Sequence, residues 1–267
     1  MKEQILSYLP GDHPWQNQIH WFASIDSTNT EAKRMAQAGA PHGTVLIADH
    51  QTAGRGRLGR SFLSPNGMGV YMSTLLRPRC KPENLMHLTC AAAVSACDAI
   101  EAAAGFLPDI KWTNDLVYQS RKLAGILTEL SIDPQSGLVD YAIIGIGVNC
   151  CQNAGDFDPS IRDFAGSLSI FAKKSINRAH ISACLIQAFQ QMDAGLLEDH
   201  TGIMENYRKQ CITISKDVSI LRADGSVQHG QAVDIDDAGA LIVRFEGGNV
   251  EAVNSGEVSV RGMYGYV

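Results

Sequence analysis

Residues 109–149 read DIKWTNDLVYQSRKLAGILTELSIDPQSGLVDYAIIGIGVN. Three runs within this stretch have the apolar and β-branched character of strands, at 109–112, 122–131 and 139–148. The first two are joined by a tight excursion through Asn114 and Asp115, the last two by a turn over 131–137. Links this short join antiparallel strands, because a parallel pair needs a crossover of a dozen or more residues. The stretch therefore predicts an antiparallel or mixed sheet. Upstream, runs at 19–25, 44–48 and 70–76 supply further strands. A helix is expected from Thr28, which caps it with Glu31 three residues on, until Gly39 and Pro41 stop it. Alanine-rich 85–104 predicts a second helix ending at Gly105, and 178–198 a third with Asn177 as its cap. The first twenty residues, with Pro10, Gly11 and Pro14, read as an arm.

Beyond Tyr207 the pattern changes to short strands at 218–221, 231–235, 241–244 and 258–260. Asp224-Gly225 is a hairpin-turn signal, and 237–239 is a second. The class that follows is α+β: a mixed or antiparallel sheet with helices over residues 1–210, then a small β-barrel-like domain over 211–267.

Composition narrows the range of functions. A content of 45% apolar residues supplies a sizeable core, and a net charge of −6, from 22 basic against 28 acidic residues, opposes a chain that grips many phosphates of nucleic acid. Seven cysteines without a C-x-x-C pair suit free thiols in a reducing compartment better than a disulfide framework or a zinc site. The N-terminus lacks the apolar core of a signal peptide, and no apolar run reads as membrane-spanning. These features place the protein in the cytoplasm, away from membranes.

Four constellations carry chemistry. Gln51-Thr-Ala-Gly54-Arg55-Gly56-Arg57-Leu-Gly59-Arg60 alternates glycine with arginine. Glycine lets backbone approach a ligand, and arginine offers a planar fork to carboxylate or phosphate. A solvated loop or an RNA-binding stretch reads the same way. Ser27-Thr28-Asn29 is a helix cap or a set of polar groups for a ligand head. In Lys111-Trp112-Thr113-Asn114-Asp115 and the following Lys122-Leu-Ala-Gly125, Lys122 opens an apolar strand. Two-residue alternation puts it on one face with Ala124 and Ile126, where it needs an anion or a route to water. Gly145-Ile-Gly147-Val-Asn149 ends a strand with glycines where another element packs close.

In this order and spacing, the four resemble the motifs of the biotin–protein ligase family: a Ser-Thr-Asn helix start, a Gln-x-x-Gly-Arg-Gly-Arg-x-Gly-Arg loop, a Lys-Trp-Pro-Asn-Asp turn followed by Lys-x-x-Gly, and a Gly-x-Gly-x-Asn strand end. Residues from about 211 to 261 resemble the family's small SH3-like domain. The resemblance implies the biotinyl/lipoyl-ligase fold, related to class II synthetases. It implies Ser27, Thr28, Asn29, Gln51, Arg55, Gly56, Arg57, Lys122 and Gly125 around biotin. Lys111, Asn114, Asp115, Gly145 and Asn149 fall on the nucleotide side, with Arg55, Lys122 and Asp115 in catalytic roles. Thr113 stands where the family usually has Pro, and Phe62 where Trp is common. The implied reaction joins biotin to ATP as biotinyl-AMP, then passes biotin to a lysine of a biotin carboxyl carrier protein, an acetyl-CoA carboxylase subunit or a similar domain. Mg²⁺ would be held mainly by the ATP phosphates, with no protein metal site. The repressor branch's N-terminal DNA-binding domain has too little chain ahead of Trp21, so no DNA partner is expected; a homodimer stays open. The rival readings are a lipoate–protein ligase and, from another class, an RNA-binding module built on the Arg/Gly loop. The loop over 54–64 is expected to be mobile until an anion pairs its arginines.

Overall fold

A computed structural model describes residues 1–222, 224–254 and 258–262. Seven strands form the main sheet: β1 (Ile19–Phe22), β2 (Thr44–Ala48), β3 (Gly69–Leu76), β4 (Asp109–Lys111), β5 (Asp115–Tyr118), β6 (Arg121–Ile132) and β7 (Val139–Asn149), in the order β1-β2-β3-β7-β6-β5-β4. Only β1 and β2 pair parallel, as a helical crossover requires; every other neighbour is antiparallel. The sheet is thus mixed, as expected. Its fourth local strand, β5, occupies what the sequence reading takes for a mere excursion.

Both faces of the sheet are covered over β2, β3 and much of β7, so those strands are apolar on both sides. One face carries α1 (Lys2–Leu6), α3 (Leu88–Ala104), α5 (Arg178–Gly195) and α6 (His200–Gln210) over Val70, Met72, Ile144, Ile146 and Val148. The other carries α2 (Thr28–Gln37), whose Ala32 and Ala36 meet Leu46, Leu75, Tyr141 and Ile143. Helix α2 is short and covers only the β1–β3 side and one end of β7. The other end of β7, with β6 beside it, forms the floor of an open cavity. A short helix α4 (Leu168–Phe171) lies between β7 and α5.

Three expectations change. The N-terminal residues are not an arm, because α1 docks on α5 and its Ile5 is fully buried. Ile5→Ala is expected to cost about 2–4 kcal/mol by leaving a cavity. An unchanged denaturant midpoint would show that the segment contributes nothing. The cap of α2 is Ser27, one residue earlier than read, its Oγ accepting from the Thr30 amide. Lastly, α3 with its leading 3-10 turn, Pro82–Ala104, is long and apolar enough to cross a membrane, although no run read that way in the sequence. It is the core helix, with 67% of its apolar window buried.

A second sheet follows: β8 (Asp217–Arg222), β9 (Val227–Ile235), β10 (Leu241–Phe245), β11 (Val250–Val253) and β12 (Val258–Gly262), all antiparallel, in the order β11-β10-β9-β8-β12. Both expected turns are present. Its Val218, Ile220, Ile235, Leu241 and Val243 join the same core as the helices. Where the two sheets meet, the Ile212 amide donates to the Ile110 carbonyl at 2.9 Å, alongside β4.

Candidate active site

A cavity of about 570 Å³ opens on the α2 face of the main sheet, between the start of α2, the loop 51–64, the β4–β5 turn and strands β6 and β7. Its floor is glycine because side chains from other elements lie directly on the strands. A Cβ on Gly145 would fall 2.0 Å from Asn29 Oδ1, and one on Gly147 would fall 2.5 Å from the Phe62 ring. The Gly-x-Gly spacing puts both on one face, so a carboxamide and a phenyl ring sit side by side against bare backbone.

A polar network closes one end. Thr28 donates to Gln51 Oε1 from its amide at 2.8 Å and from its hydroxyl at 3.1 Å, and Gln51 Nε2 donates to Ser64 Oγ at 2.8 Å. Buried Ser73, on β3, places its Oγ 2.8 Å from Thr28 Oγ1 and 2.6 Å from Asn29 Oδ1. Asn29 Nδ2 donates to Glu129 at 2.9 Å. Each polar group here is held by another, so the wall is rigid and its orientation fixed.

The loop 51–64 forms a narrow hairpin over the cavity. Its backbone bonds join Gln51 to Ser64, Phe62 to Gly54 and Gly56 to Arg60. Gly54 is required there, since a Cβ would meet the Phe62 carbonyl at 2.3 Å. The sequence reading expects this loop to await an anion, but protein groups already engage two of its arginines. Arg55 Nη1 donates to both Glu129 oxygens at 3.0 and 3.1 Å, and Arg57 Nη1 to Asn114 Oδ1 at 2.9 Å. Burial pushes the Arg57 guanidinium pKa down, Asp115 opposing.

Opposite the loop, Lys122 Nζ donates to Asp115 Oδ1 at 2.6 Å. The pair exists because β6 carries a bulge: Leu116 lies opposite Ala124, but Val117 lies opposite Lys122, which leaves Leu123 as the extra residue. The bulge reverses the alternation expected for Lys122. The lysine lies on the face of Gly125, its Nζ 3.3 Å from where a Gly125 Cβ would be, and not with Ala124 and Ile126, which face the core helices. The β4–β5 turn is pinned. The Trp112–Thr113 peptide is cis, the Tyr207 hydroxyl donates to the Thr113 carbonyl at 2.8 Å, and Trp112 donates from its amide to Thr213 Oγ1 and from Nε1 to the Gly239 carbonyl, both at 2.9 Å. Thr113 in the family's Pro position therefore sits in a turn held at three points. Asn114 clamps it to β6, donating to the Ile126 carbonyl at 2.8 Å.

Of the residues singled out in the sequence, Ser27, Thr28, Asn29, Gln51, Arg55, Gly56, Arg57, Lys111, Asn114, Asp115, Lys122, Gly125 and Gly145 all line this cavity; Gly145, expected on the nucleotide side, lies instead under Asn29 of the polar wall. Asn149 does not. It is buried beyond the rim, where its Nδ2 donates to the Gly166 carbonyl at 3.0 Å. Gly166 in turn donates to the Lys122 carbonyl, and the Lys122 amide to Phe164, so Asn149 reaches the site through the strap 164–166. Phe164, Leu58, Arg60 and Ser61 also line the cavity. Sequence reasoning missed Ser73 and Glu129, which order the polar wall. Glu129 had a signal, since it follows Gly125 and Leu127 at two-residue spacing on the same face. Ser73, inside an apolar strand, had none. Among the described residues no group of three His, Cys, Asp or Glu side chains could hold a metal ion.

Two family models match the chain: the biotin/lipoate A/B protein ligase family over residues 21–149, and the biotin protein ligase C terminal domain over residues 213–261. A bifunctional ligase/repressor of Bacillus spizizenii is 35% identical over 240 residues, covering 88% of this chain and 72% of that protein. A biotin–[acetyl-CoA-carboxylase] ligase of Mycobacterium tuberculosis is 30% identical over 97% of this chain and 93% of its own. Among solved structures, the biotin protein ligase of Aquifex aeolicus in complex with biotin and ATP superimposes with a TM-score of 0.77 at 29% identity, covering 92% of this chain and 99% of that one. The fold and site thus define a member of a ligase superfamily with a small β domain appended. The chain belongs to the biotin/lipoate A/B protein ligase family, and within it to the biotin protein ligases.

Proposed function

We propose that the chain is an ATP-dependent, AMP-forming biotin–[acetyl-CoA-carboxylase] ligase, with residues 1–210 catalytic and 211–267 a small C-terminal β domain. The carrying observation is that Arg55, Arg57 and Lys122 border one cavity whose far end is a fixed polar network on a glycine floor. The ureido head of biotin offers N–H donors and a carbonyl acceptor to the Ser27, Thr28, Asn29 and Gln51 wall. Its apolar chain runs past the Phe62 ring and the Asn29 carboxamide that cover Gly147 and Gly145, and its carboxylate comes out among the cations.

The first step has to bring an anion to a polyanion. A biotin carboxylate oxygen attacks the α-phosphorus of Mg·ATP, forming the mixed anhydride as pyrophosphate leaves. Arg55 and Lys122 offset the repulsion and hold the reacting groups in line. In the second step a neutral lysine amine of the carrier attacks the acyl carbon, and AMP leaves. Asp115, which accepts from Lys122 at 2.6 Å, is the acid we assign to orient that amine. Magnesium enters with ATP, held by phosphates and water; Asp115 and Glu129, acids at the site, are already paired with Lys122 and Arg55. The acceptor is a biotin carboxyl carrier domain, and the net charge of −6 supports a protein over a nucleic acid as partner. Seven free cysteines support a cytoplasmic site of action.

Biotin-dependent exchange of pyrophosphate into ATP, without a carrier, is the expected activity. Exchange driven by lipoate alone would transfer the assignment to the lipoate ligases, and exchange with neither acid would remove it.

A further inference from the structure

We propose that Glu129 is a positioning residue that aims Arg55 at the reacting anions and ties that aim to the head-binding wall; the inference rests on the reading of this cavity as the ligase site. Glu129 Oε2 accepts from Asn29 Nδ2 at 2.9 Å and from Arg55 Nη1 at 3.1 Å, and Oε1 accepts from the same Nη1 at 3.0 Å. One carboxylate on β6 therefore binds the start of α2 and the Arg/Gly loop together, two elements remote from it in sequence. Among the described residues both hydrogen bonds of the Arg55 side chain fall on Nη1. The edge formed by Nη2 and Nε is left to face an anion, the geometry that suits bidentate recognition of carboxylate or phosphate. An arginine on a flexible stem in a glycine-flanked loop loses rotamer and backbone freedom when it binds. A carboxylate that already fixes its guanidinium removes part of that loss.

An acid on the face that receives two anions would otherwise weaken their binding. Here its charge is matched by Arg55 and its second oxygen is also used by Asn29. Glu129 is reached from Lys122 along one side of β6, through Gly125 and Leu127, so the strand that carries the opposing cation also carries the residue that directs Arg55.

The test is a double-mutant cycle on the full chain: Glu129→Gln, Arg55→Ala and the pair. Glu129→Gln keeps the shape and one acceptor, and is expected to lower kcat/KM for biotin-dependent exchange by about tenfold, and Arg55→Ala by about 100-fold. The double variant is expected to stay within about threefold of Arg55→Ala, because a residue acting through Arg55 has nothing further to lose. Losses that multiply, or a Glu129→Gln variant within about twofold of wild type, would overturn the proposal. Melting of each variant separates folding from positioning, and Glu129→Asp repeats the comparison if the glutamine variant does not fold. Calorimetric titration of Mg·ATP runs the same cycle without any acid substrate. It tests Glu129 even where exchange with biotin fails, and that failure would count against the function alone.

Discussion

Replacing Lys122 with alanine is expected to slow biotin-dependent exchange by about 100-fold, equivalent to roughly 3 kcal/mol of lost transition-state stabilisation. Two effects act in the same direction. The cation that offsets the charge of the incoming carboxylate and phosphate is gone, and the Asp115 carboxylate, 2.6 Å from the vacated position, loses the charge of Lys122 and adds its repulsion to the cavity wall. The fold should tolerate the change. The side chains of Lys122 and Asp115 are 31% and 20% exposed, and the lysine's place in the sheet rests on backbone bonds to Phe164 and Gly166 that alanine keeps. The stability cost is therefore about 1–2 kcal/mol. Exchange rate and melting midpoint, measured together, make the case. If turnover stays within a few-fold of wild type, Lys122 is a structural tether for Asp115 and has no part in the chemistry.

Gly145→Ala is expected to raise the KM for biotin by about 100-fold while changing that for ATP far less. The added methyl would lie 2.0 Å from Asn29 Oδ1 and 2.7 Å from its Cγ. Asn29 is 4% exposed and bound to Ser73 and Glu129, so its carboxamide retreats only by giving up those partners. A site built on polar complementarity loses more from a misdirected hydrogen-bonding group than from a lost apolar contact. Gly147→Ala makes a useful contrast, since its methyl meets the Phe62 ring instead and disturbs a different wall. Equal KM values for biotin in Gly145→Ala and wild type would show that Asn29 lies away from the biotin head.

The apolar runs revealed β2, β3 and β7 nearly to the residue, because strands buried on both faces leave a strong local signal, and alternation revealed β6, whose second face borders the cavity. The cavity residues were legible where chemistry concentrates in short motifs: the Arg/Gly loop, the polar cap of α2 and the Gly-x-Gly strand end. What escaped depends on distance or on register. Strand β5 is only four residues long and shares its start with the turn that contains Asp115. The side of β6 that Lys122 occupies is set by the bulge at Leu123, and an extra residue cannot be counted until the partner strand is known. Ser73 and Glu129 gain meaning only when β3, β6 and α2 are brought together. Helix α1 was hidden by the proline and glycine that follow it, since its Ile5 finds its burial on α5, far along the chain.

The pinning of the β4–β5 turn bears on how separable the chain's parts are. Trp112, which lines the cavity, is gripped by Thr213 and Gly239, and Thr113 by Tyr207; the three gripping residues do not line it. Lys111 and Asn114, which do, flank that gripped dipeptide. Thr213 and the β9–β10 turn thus work with α6 as a mechanical clamp on the β4–β5 turn. Leverage applied to the tail, whether by a docking partner or by a change in the β9–β10 turn, reaches the cavity lining through Trp112. Modularity in sequence therefore does not make the tail a detachable accessory.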